Sequence, residues 1–178
     1  MFFKVYELKE DIEVSKLSSS IVEHCNKYSN QDAKKISIFA YYKMLEFVFE
    51  SYKINLFDRV IDFEGKPHFV DYKMYFSISH EDNLVAIAID DEHEVGIDLT
   101  RMVTNLDLAN KILSNEEKED YEKAIDKADY IARKWAMKEA YAKKTGEGLG
   151  PNVFRKTINA KINKVTYYDK EYYLSISE

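Results

Sequence analysis

The sequence predicts an α+β protein made of two halves with a similar order of elements. Apolar residues alternate in segments 2–8 and 156–162, which is typical of strands with one buried face. Elsewhere they recur at helical spacing, as in Leu17, Ile21 and Cys25. With 46% hydrophobic residues, 5 Gly and 2 Pro, the chain has the composition of a packed domain. Each half is therefore expected to be a small, mostly antiparallel sheet packed with helices.

The first half begins with the strand at 2–8, followed by a helix that contains Leu17, Ile21 and Cys25. A longer helix starts near Gln31 and runs towards Tyr52. It carries so many apolar residues that we expect both of its sides to contact other elements. Strands are then predicted at 59–63, 74–79 and 84–90.

The second half opens with a short strand at 95–99. Ser114 followed by Glu116 and Glu117 is a good helix cap with acids in the first turn. The predicted helices are 105–112, 114–125 and 128–144, and a C-terminal antiparallel meander is predicted at 156–162, 165–168 and 172–176. The halves are divided as 1–90 and 91–178, although no sequence repeat demonstrates a duplication.

Charge and composition exclude several classes of protein. A net charge of −6 argues against a general nucleic-acid binder. The most apolar run, 84–89, is far shorter than the roughly 20 residues that span a bilayer. The N-terminal segment becomes charged too early for a secretion signal, and the single Cys25 permits neither an internal disulfide nor a cysteine-rich zinc site. We therefore expect a soluble, cytoplasmic protein with no nucleic-acid or membrane partner.

Asp98 is the first candidate site residue because it follows an apolar strand and the small residue Gly96. A missing side chain at Gly96 would let a ligand or another backbone come close. Between His80 and Asp98 the chain has seven acids and no Lys or Arg, whereas Lys127–Lys144 has six basic and two acidic residues. Such opposed charge could hold a metal and a phosphate together. The alternative is that Asp98 only ends a strand or caps a turn.

Glu139 and Lys143 lie one helical turn apart and so share a face of the predicted helix. Trp135 and Ile131 precede them on the same stripe, which favours an inward orientation. Otherwise the two would be a solvated ion pair of little energetic consequence. Together with Asp98 they predict a magnesium and polyphosphate site, because carboxylates and substrate phosphates are ordinary ligands of that ion.

Four segments, in order, resemble the surfactin-type 4′-phosphopantetheinyl transferase superfamily. They are Gly65–Phe69 (GKPHF), Phe76–His80 (FSISH), Val95–Asp98 (VGID) and Trp135–Ala140 (WAMKEA) followed by Lys143. These enzymes move the phosphopantetheine arm of coenzyme A onto a serine of an apo carrier protein and release adenosine 3′,5′-bisphosphate. The resemblance implies a pseudo-dimer of two similar halves, with the active site in the cleft between them and no need of a second subunit, so a monomer is expected.

The resemblance also implies roles for individual residues. Asp98 and Glu139 would hold Mg²⁺, with Mn²⁺ as an alternative ion. Glu139 would act as the base towards the serine, directly or through water, and Lys143 would clamp the pyrophosphate. The implied coenzyme A contacts are Lys66, Ser79, His80 and Lys143. The implied partner is an acyl, polyketide or peptidyl carrier, whose identity the motifs leave open.

The sequence departs from the family pattern at Thr100, where many relatives have a third acid. A hydroxyl is neutral, so a water or a backbone oxygen would have to complete the Mg²⁺ shell, and Mg²⁺ should bind weakly without coenzyme A. Thr100 is also the only support for one alternative, a non-catalytic relative that binds coenzyme A or a carrier. A magnesium-dependent phosphodiesterase is a further alternative.

Other charged or polar segments have simpler explanations. The acidic segment 90–94 could bind a metal, but a solvated hairpin turn is favoured. Lys34 and Lys35 could meet the adenosine 3′-phosphate, but a basic helix face is the simpler explanation. Lys66 can be a turn residue, and the strand-end pair Ser79 and His80 can be purely structural.

Overall fold

The computed structural model describes residues 1–101 and 106–178 and confirms the α+β fold class. The chain divides into two compact units, Met1–Val95 and Gly96–Glu178. Each unit contains a three-stranded antiparallel sheet and its own helices. No helix in these described ranges has the length and apolar character needed to cross a membrane.

Unit 1 contains strands that pair locally around one long helix. Its elements are β1 (Phe2–Glu7), a 3₁₀ turn (Val14–Lys16), α1 (Ser19–Cys25), α2 (Gln31–Tyr52), β2 (Ile61–Asp62), β3 (His68–Phe69), β4 (Tyr75–Glu81) and β5 (Leu84–Asp90). The sheet order is β1-β5-β4, and β2 pairs only with β3. The predicted strand at 59–63 is therefore only two residues long, and β3 was not predicted.

The core of unit 1 lies between α2 and the central strand β5. Every residue of β5 is buried, and the strand is hydrogen-bonded to a neighbour on each edge. Helix α2 buries residues on more than one side, including Phe39, Met44 and Val48. Its start at Gln31 follows from Asn30, whose side-chain oxygen accepts hydrogen bonds from the next turn. The expectation that α2 contacts neighbours on both sides agrees with this burial.

Unit 2 consists of a second sheet and a set of mostly short helices. Its elements are β6 (Gly96–Arg101), a 3₁₀ turn (Leu106–Leu108), α3 (Ala109–Ile112), α4 (Asn115–Lys123), α5 (Lys127–Thr145), α6 (Pro151–Phe154), β7 (Lys161–Tyr167) and β8 (Lys170–Ser177). The predicted helix 105–112 begins at a residue outside the described ranges, and the rest of it divides into the 3₁₀ turn and α3.

The sheet of unit 2 has the order β6-β8-β7, so the last strand of the chain is central. Strands β7 and β8 form a hairpin whose two-residue turn, Tyr168 and Asp169, has positive φ at both positions. The predicted three-stranded meander was wrong, because segment 156–160 forms no strand. Part of the reason is that the Lys156 carbonyl instead accepts a hydrogen bond from the Lys138 ammonium.

The backbones of β6 and α5 lie in direct contact at Gly96. A Cβ atom at this position would stand 1.9 Å from the Ala140 carbonyl oxygen and 2.6 Å from the Lys144 amide nitrogen. Those neighbours are backbone atoms of a long helix and cannot rotate away as a side chain would. The close approach that Gly96 was expected to permit is thus made by α5, and it positions the helix on this face of the sheet.

We predict that Gly96→Ala lowers the free energy of unfolding by about 2 kcal/mol or more, because α5 must shift to make room. Urea unfolding followed by circular dichroism measures the change. Gly150→Ala is the matched control: Gly150 has extended backbone and open space around it, so less than about 1 kcal/mol is expected. Equal stability of the two variants would show that α5 does not depend on the contact at Gly96.

Candidate functional site

Asp98 lies in the middle of β6 on the face of the sheet that α5 covers. Side chains alternate along a strand, so Asp98 shares this face with Gly96 and Thr100. The contact between Gly96 and α5 identifies the face. Only 2% of Asp98 is exposed. A carboxylate this deeply buried requires a cation or several hydrogen bonds.

Lys143 of α5 supplies that cation and joins the two predicted acids. Its Nζ atom lies 2.8 Å from Asp98 Oδ1 and 3.7 Å from Glu139 Oε2. One ammonium group therefore bridges a carboxylate of the sheet and a carboxylate of the helix. The structure brings together all three residues that the sequence predicts in unit 2, and we call them the carboxylate pair and its lysine.

The environment of Glu139 differs from that of a surface acid. Burial, and secondarily the negative charge of Asp98, raise the pKa of the Glu139 carboxyl above its usual range, while Lys143 acts in the opposite direction. The expected inward stripe of α5 is only partly buried, since Glu139 and Lys143 keep some solvent access. A half-buried carboxyl with a raised pKa is a better proton acceptor than an exposed one.

Thr100 contacts the site rather than standing apart from it. Its hydroxyl donates a hydrogen bond to Asp98 Oδ2, while Lys143 donates to Oδ1. Both oxygens of Asp98 are thus fixed, one by a charge and one by a neutral donor. From the sequence Thr100 is only a missing acid, whereas in the fold it also orients Asp98.

The donor set of this site suits a hard divalent cation. Two carboxylates face a position already filled by a positive charge, and carboxylate oxygens are the usual protein ligands of Mg²⁺. Over residues 1–101 and 106–178, however, no three His, Cys, Asp or Glu side chains come together as a metal cluster. Any ion bound here would need neutral oxygens or substrate phosphates to complete its shell.

Lys66 in unit 1 is held by the segment that leads into β6. Its ammonium forms an ion pair with Glu94 and donates to the Val95 carbonyl at 3.0 Å. Only 17% of its side chain is exposed. The interaction fixes the backbone immediately before Gly96, whatever else Lys66 contacts.

Ser79 and His80 are neighbours on β4, so their side chains leave opposite faces of the sheet. Ser79 is buried, and His80 is exposed near the end of the strand. A ligand that touched both would have to reach around the end of this strand. Their predicted shared role towards coenzyme A remains a prediction.

The acidic segment 90–94 forms a turn stabilised by its own backbone. Asp90 Oδ1 accepts hydrogen bonds from the amides of Glu92 and His93, each at 2.8 Å, and Oδ2 lies 3.1 Å from the N-terminal amine. Burial alone would raise the pKa of Asp90, but these donors outweigh it and lower the pKa. The turn is not a hairpin, because β5 and β6 belong to different sheets.

Lys138 is a fully buried charge that the sequence analysis left without a role. It forms an ion pair with Glu117 at 2.8 Å and donates to the carbonyls of Phe154 and Lys156 at 3.1 and 2.6 Å. Its ammonium has three donors, and these partners use all three. Glu117 also completes the capping box of α4 with Ser114. One buried pair therefore ties together α4, α5 and the segment after α6.

The basic residues of α5 all have partners, and except for Asp129 and Glu139 these partners lie outside the helix. The ammonium and guanidinium groups of this helix meet carboxylates or carbonyls in the following pairs: Lys127–Glu122, Arg133–Asp129, Lys134–Glu117, Lys138–Glu117, Lys143–Asp98 and Lys144 with the Glu178 carbonyl. The excess of positive charge counted along the sequence thus serves the packing of unit 2 to a large extent. A carrier-binding surface cannot be inferred from that count alone.

Comparison with known proteins shows what unit 2 is similar to. Residues 94–175 match the family model of the 4′-phosphopantetheinyl transferase superfamily. The similarity predicted from the motifs is thereby confirmed for this part of the chain.

Individual relatives agree with that match. A 4′-phosphopantetheinyl transferase of Bacillus subtilis is 35% identical over 89 residues, which cover 48% of this chain and 39% of the relative. The transferase ffp of the same species is 26% identical over 142 residues, covering 76% and 63%. HetI of Nostoc is 33% identical over 94 residues, covering 48% and 40%. The chain thus spans less than two thirds of the length of these relatives.

The solved structure of Thermotoga maritima holo-acyl-carrier-protein synthase is similar at 21% identity and a TM-score of 0.37. The similarity covers 47% of this chain and 61% of that one.

We predict that Lys138→Met lowers the free energy of unfolding by about 3–5 kcal/mol, because the buried Glu117 carboxylate loses its main partner. Urea unfolding at neutral pH measures the loss. The double variant Lys138→Met/Glu117→Gln should recover much of it, since a glutamine still completes the capping box.

Lys123→Met is the matched control, because Lys123 and its partner Asp120 are both solvent-exposed. No measurable loss is expected for it. A Lys138→Met variant as stable as Lys123→Met would mean that the buried pair adds nothing to unit 2.

Proposed function

We propose that the protein is a 4′-phosphopantetheinyl transferase that moves the phosphopantetheine arm of coenzyme A onto a serine of an apo carrier protein. The observation that carries the proposal is the bridge from Asp98 through Lys143 to Glu139, formed by a strand and a helix within the segment that matches the superfamily. If Asp98 only ended a strand, or if Glu139 and Lys143 were only a solvated ion pair, one ammonium group would not bridge the two acids. The names of the relatives support the same activity.

In the proposed reaction the serine hydroxyl of the carrier attacks the β-phosphate of coenzyme A. A bond forms between the serine oxygen and phosphorus, the bond to the bridging oxygen of the pyrophosphate breaks, and adenosine 3′,5′-bisphosphate leaves. Glu139 accepts the serine proton, directly or through water, which its raised pKa favours. Lys143 exchanges its contacts with the acids for contacts with the phosphates, where its charge offsets that of the pyrophosphate.

The carboxylate pair, Asp98 and Glu139, would hold Mg²⁺, or alternatively Mn²⁺. When bound, such an ion neutralises phosphate charge and aligns the transferred group. Thr100 keeps Asp98 oriented towards α5 through its hydrogen bond. Lys66, Ser79 and His80 are the proposed coenzyme A contacts of unit 1, on the strength of the family resemblance. The single buried Cys25 suits a reducing compartment, so a cytoplasmic location belongs to the proposal.

The transfer itself is the first prediction of this proposal. Protein, coenzyme A and Mg²⁺ are incubated with a panel of unmodified fatty-acid, polyketide and peptidyl carriers, and intact masses are read. At least one carrier should gain one phosphopantetheine arm. Asp98→Ala and Glu139→Ala should each reduce the rate by roughly 100-fold or more, because each removes a charged group from the reacting centre.

Glu122→Ala is the matched control for loss of an acid, since Glu122 is exposed on α4 and pairs with Lys127. It should transfer at the normal rate, and circular dichroism should show all three variants folded. Absence of mass gain across the panel would reject the transferase and leave a non-catalytic binder. Cleavage of coenzyme A or DNA without a carrier would indicate a phosphodiesterase instead.

A second prediction concerns the affinity for Mg²⁺. In the free protein Lys143 already occupies the position between the two acids, and Thr100 contributes no charge. Titration calorimetry should therefore show weak Mg²⁺ binding alone and stronger binding with coenzyme A, whose phosphates draw Lys143 away. Thr100→Glu should tighten binding to the free protein roughly tenfold. Equal affinity with and without coenzyme A would contradict this explanation.

A further inference from the structure

The hydroxyl of Ser175 is a buried polar group without a hydrogen-bond partner. Ser175 lies in β8, its residue surface is 0% exposed, and among the residues that the structure describes its Oγ atom meets no donor or acceptor. Leaving a buried hydroxyl unpaired costs about 1–3 kcal/mol. Such groups are rare in native proteins, and each one calls for a specific explanation.

Ser175 stands directly opposite Asp98 in the ladder between β6 and β8. Directly opposed residues of antiparallel strands point to the same face, with Cβ atoms about 4.5–5.5 Å apart. Two contacts show that this face is the one towards α5. Gly96 meets the backbone of α5, and the hydroxyl of Tyr173, opposite Thr100, bonds to Asp129 of that helix. The unpaired hydroxyl therefore lies beside Asp98, between the sheet that carries Asp98 and the helix that carries Glu139.

The other groups around Asp98 are already engaged. Lys143 holds Oδ1, and Thr100 donates to Oδ2. Ser175 Oγ, by contrast, has its proton and lone pairs uncommitted, and a hydroxyl oxygen is a hard donor of the kind that Mg²⁺ accepts. The carboxylate pair needs neutral oxygens to complete a cation's shell, because the described residues offer no third acid.

We propose that Ser175, which stands opposite Asp98 on β8, supplies a ligand oxygen to the divalent cation that Asp98 and Glu139 would hold. This inference rests on the metal site of the proposed function. It assigns a reason to the unpaired hydroxyl: the group is unsatisfied in the free protein and becomes satisfied when the cation binds. Because the hydroxyl gains a partner only when the cation binds, this contact favours the cation-bound state of the protein.

A change of metal preference tests the proposal. Ser175→Cys keeps nearly the same volume but offers sulfur, which prefers soft ions to Mg²⁺. Titration calorimetry in the presence of coenzyme A should show Mg²⁺ affinity reduced roughly tenfold and Cd²⁺ affinity increased by a similar factor. Cys25 is present in every variant and therefore does not affect the comparison.

Ser177→Cys is the matched control. Ser177 lies on the same strand and face but opposite Gly96, so no change of metal preference is expected. Ser175→Ala adds an independent readout: without Mg²⁺ its melting temperature should equal or exceed that of the wild type, because an unpaired hydroxyl is gone. With Mg²⁺ and coenzyme A present, its stabilisation should be smaller than that of the wild type.

The outcomes separate this inference from the proposed function. If the wild type binds Mg²⁺ in a manner that requires Asp98, but both Cys variants behave alike, Ser175 is not a ligand and the transferase proposal is unaffected. If the wild type binds no divalent cation even with coenzyme A, the metal site and this inference both fail. Should Ser175→Cys fail to fold, unchanged Mg²⁺ affinity of Ser175→Ala would overturn the inference, and a reduced affinity would support it.

Discussion

The site in unit 2 depends on the contact between the backbone of α5 and the backbone of β6 at Gly96. Because no side chain separates them, the helix lies close enough for Lys143 to reach Asp98 at 2.8 Å. A larger residue would move the helix outward, and Glu139 and Lys143 would move with it. The chemistry proposed for the site is thus a consequence of a packing constraint two residues before the reactive carboxylate.

Two buried ion pairs on α5 have different consequences. Lys138 and Glu117 are both almost fully buried, and carbonyl oxygens complete the shell of the ammonium. Breaking such a pair would leave a buried charge without a partner, so the pair stabilises one arrangement of the surrounding elements. Lys143 keeps 29% exposure and contacts its two acids at unequal distances. A pair with solvent access can exchange partners, which a phosphate clamp requires.

The Asp98 carboxylate is held in place by neighbours that are not acids. A hydroxyl on its own strand and an ammonium on the facing helix fix the two oxygens of one carboxylate. This arrangement orients the carboxylate before any ligand arrives, and second contacts of this kind commonly tune metal binding. It also means that a cation must compete with Lys143, so substrate phosphates and metal are expected to bind together rather than separately.

The sequence by itself determined the fold class, the bounds of α2, β5 and the capped start of α4, because these depend on local periodicity and capping that neighbours in sequence supply. It also determined that Asp98, Glu139 and Lys143 belong together, through motifs whose spacing is fixed on a strand and a helix. The surroundings of Lys138, Thr100 and Ser175 were decided only by the tertiary structure. For Lys138 the local signal was its position three residues after Trp135 and seven after Ile131, which places it on the same side of α5 as those residues. Nothing local revealed Ser175, because strand order places β8 beside β6 across more than seventy residues, and register alone sets which side chain stands opposite Asp98.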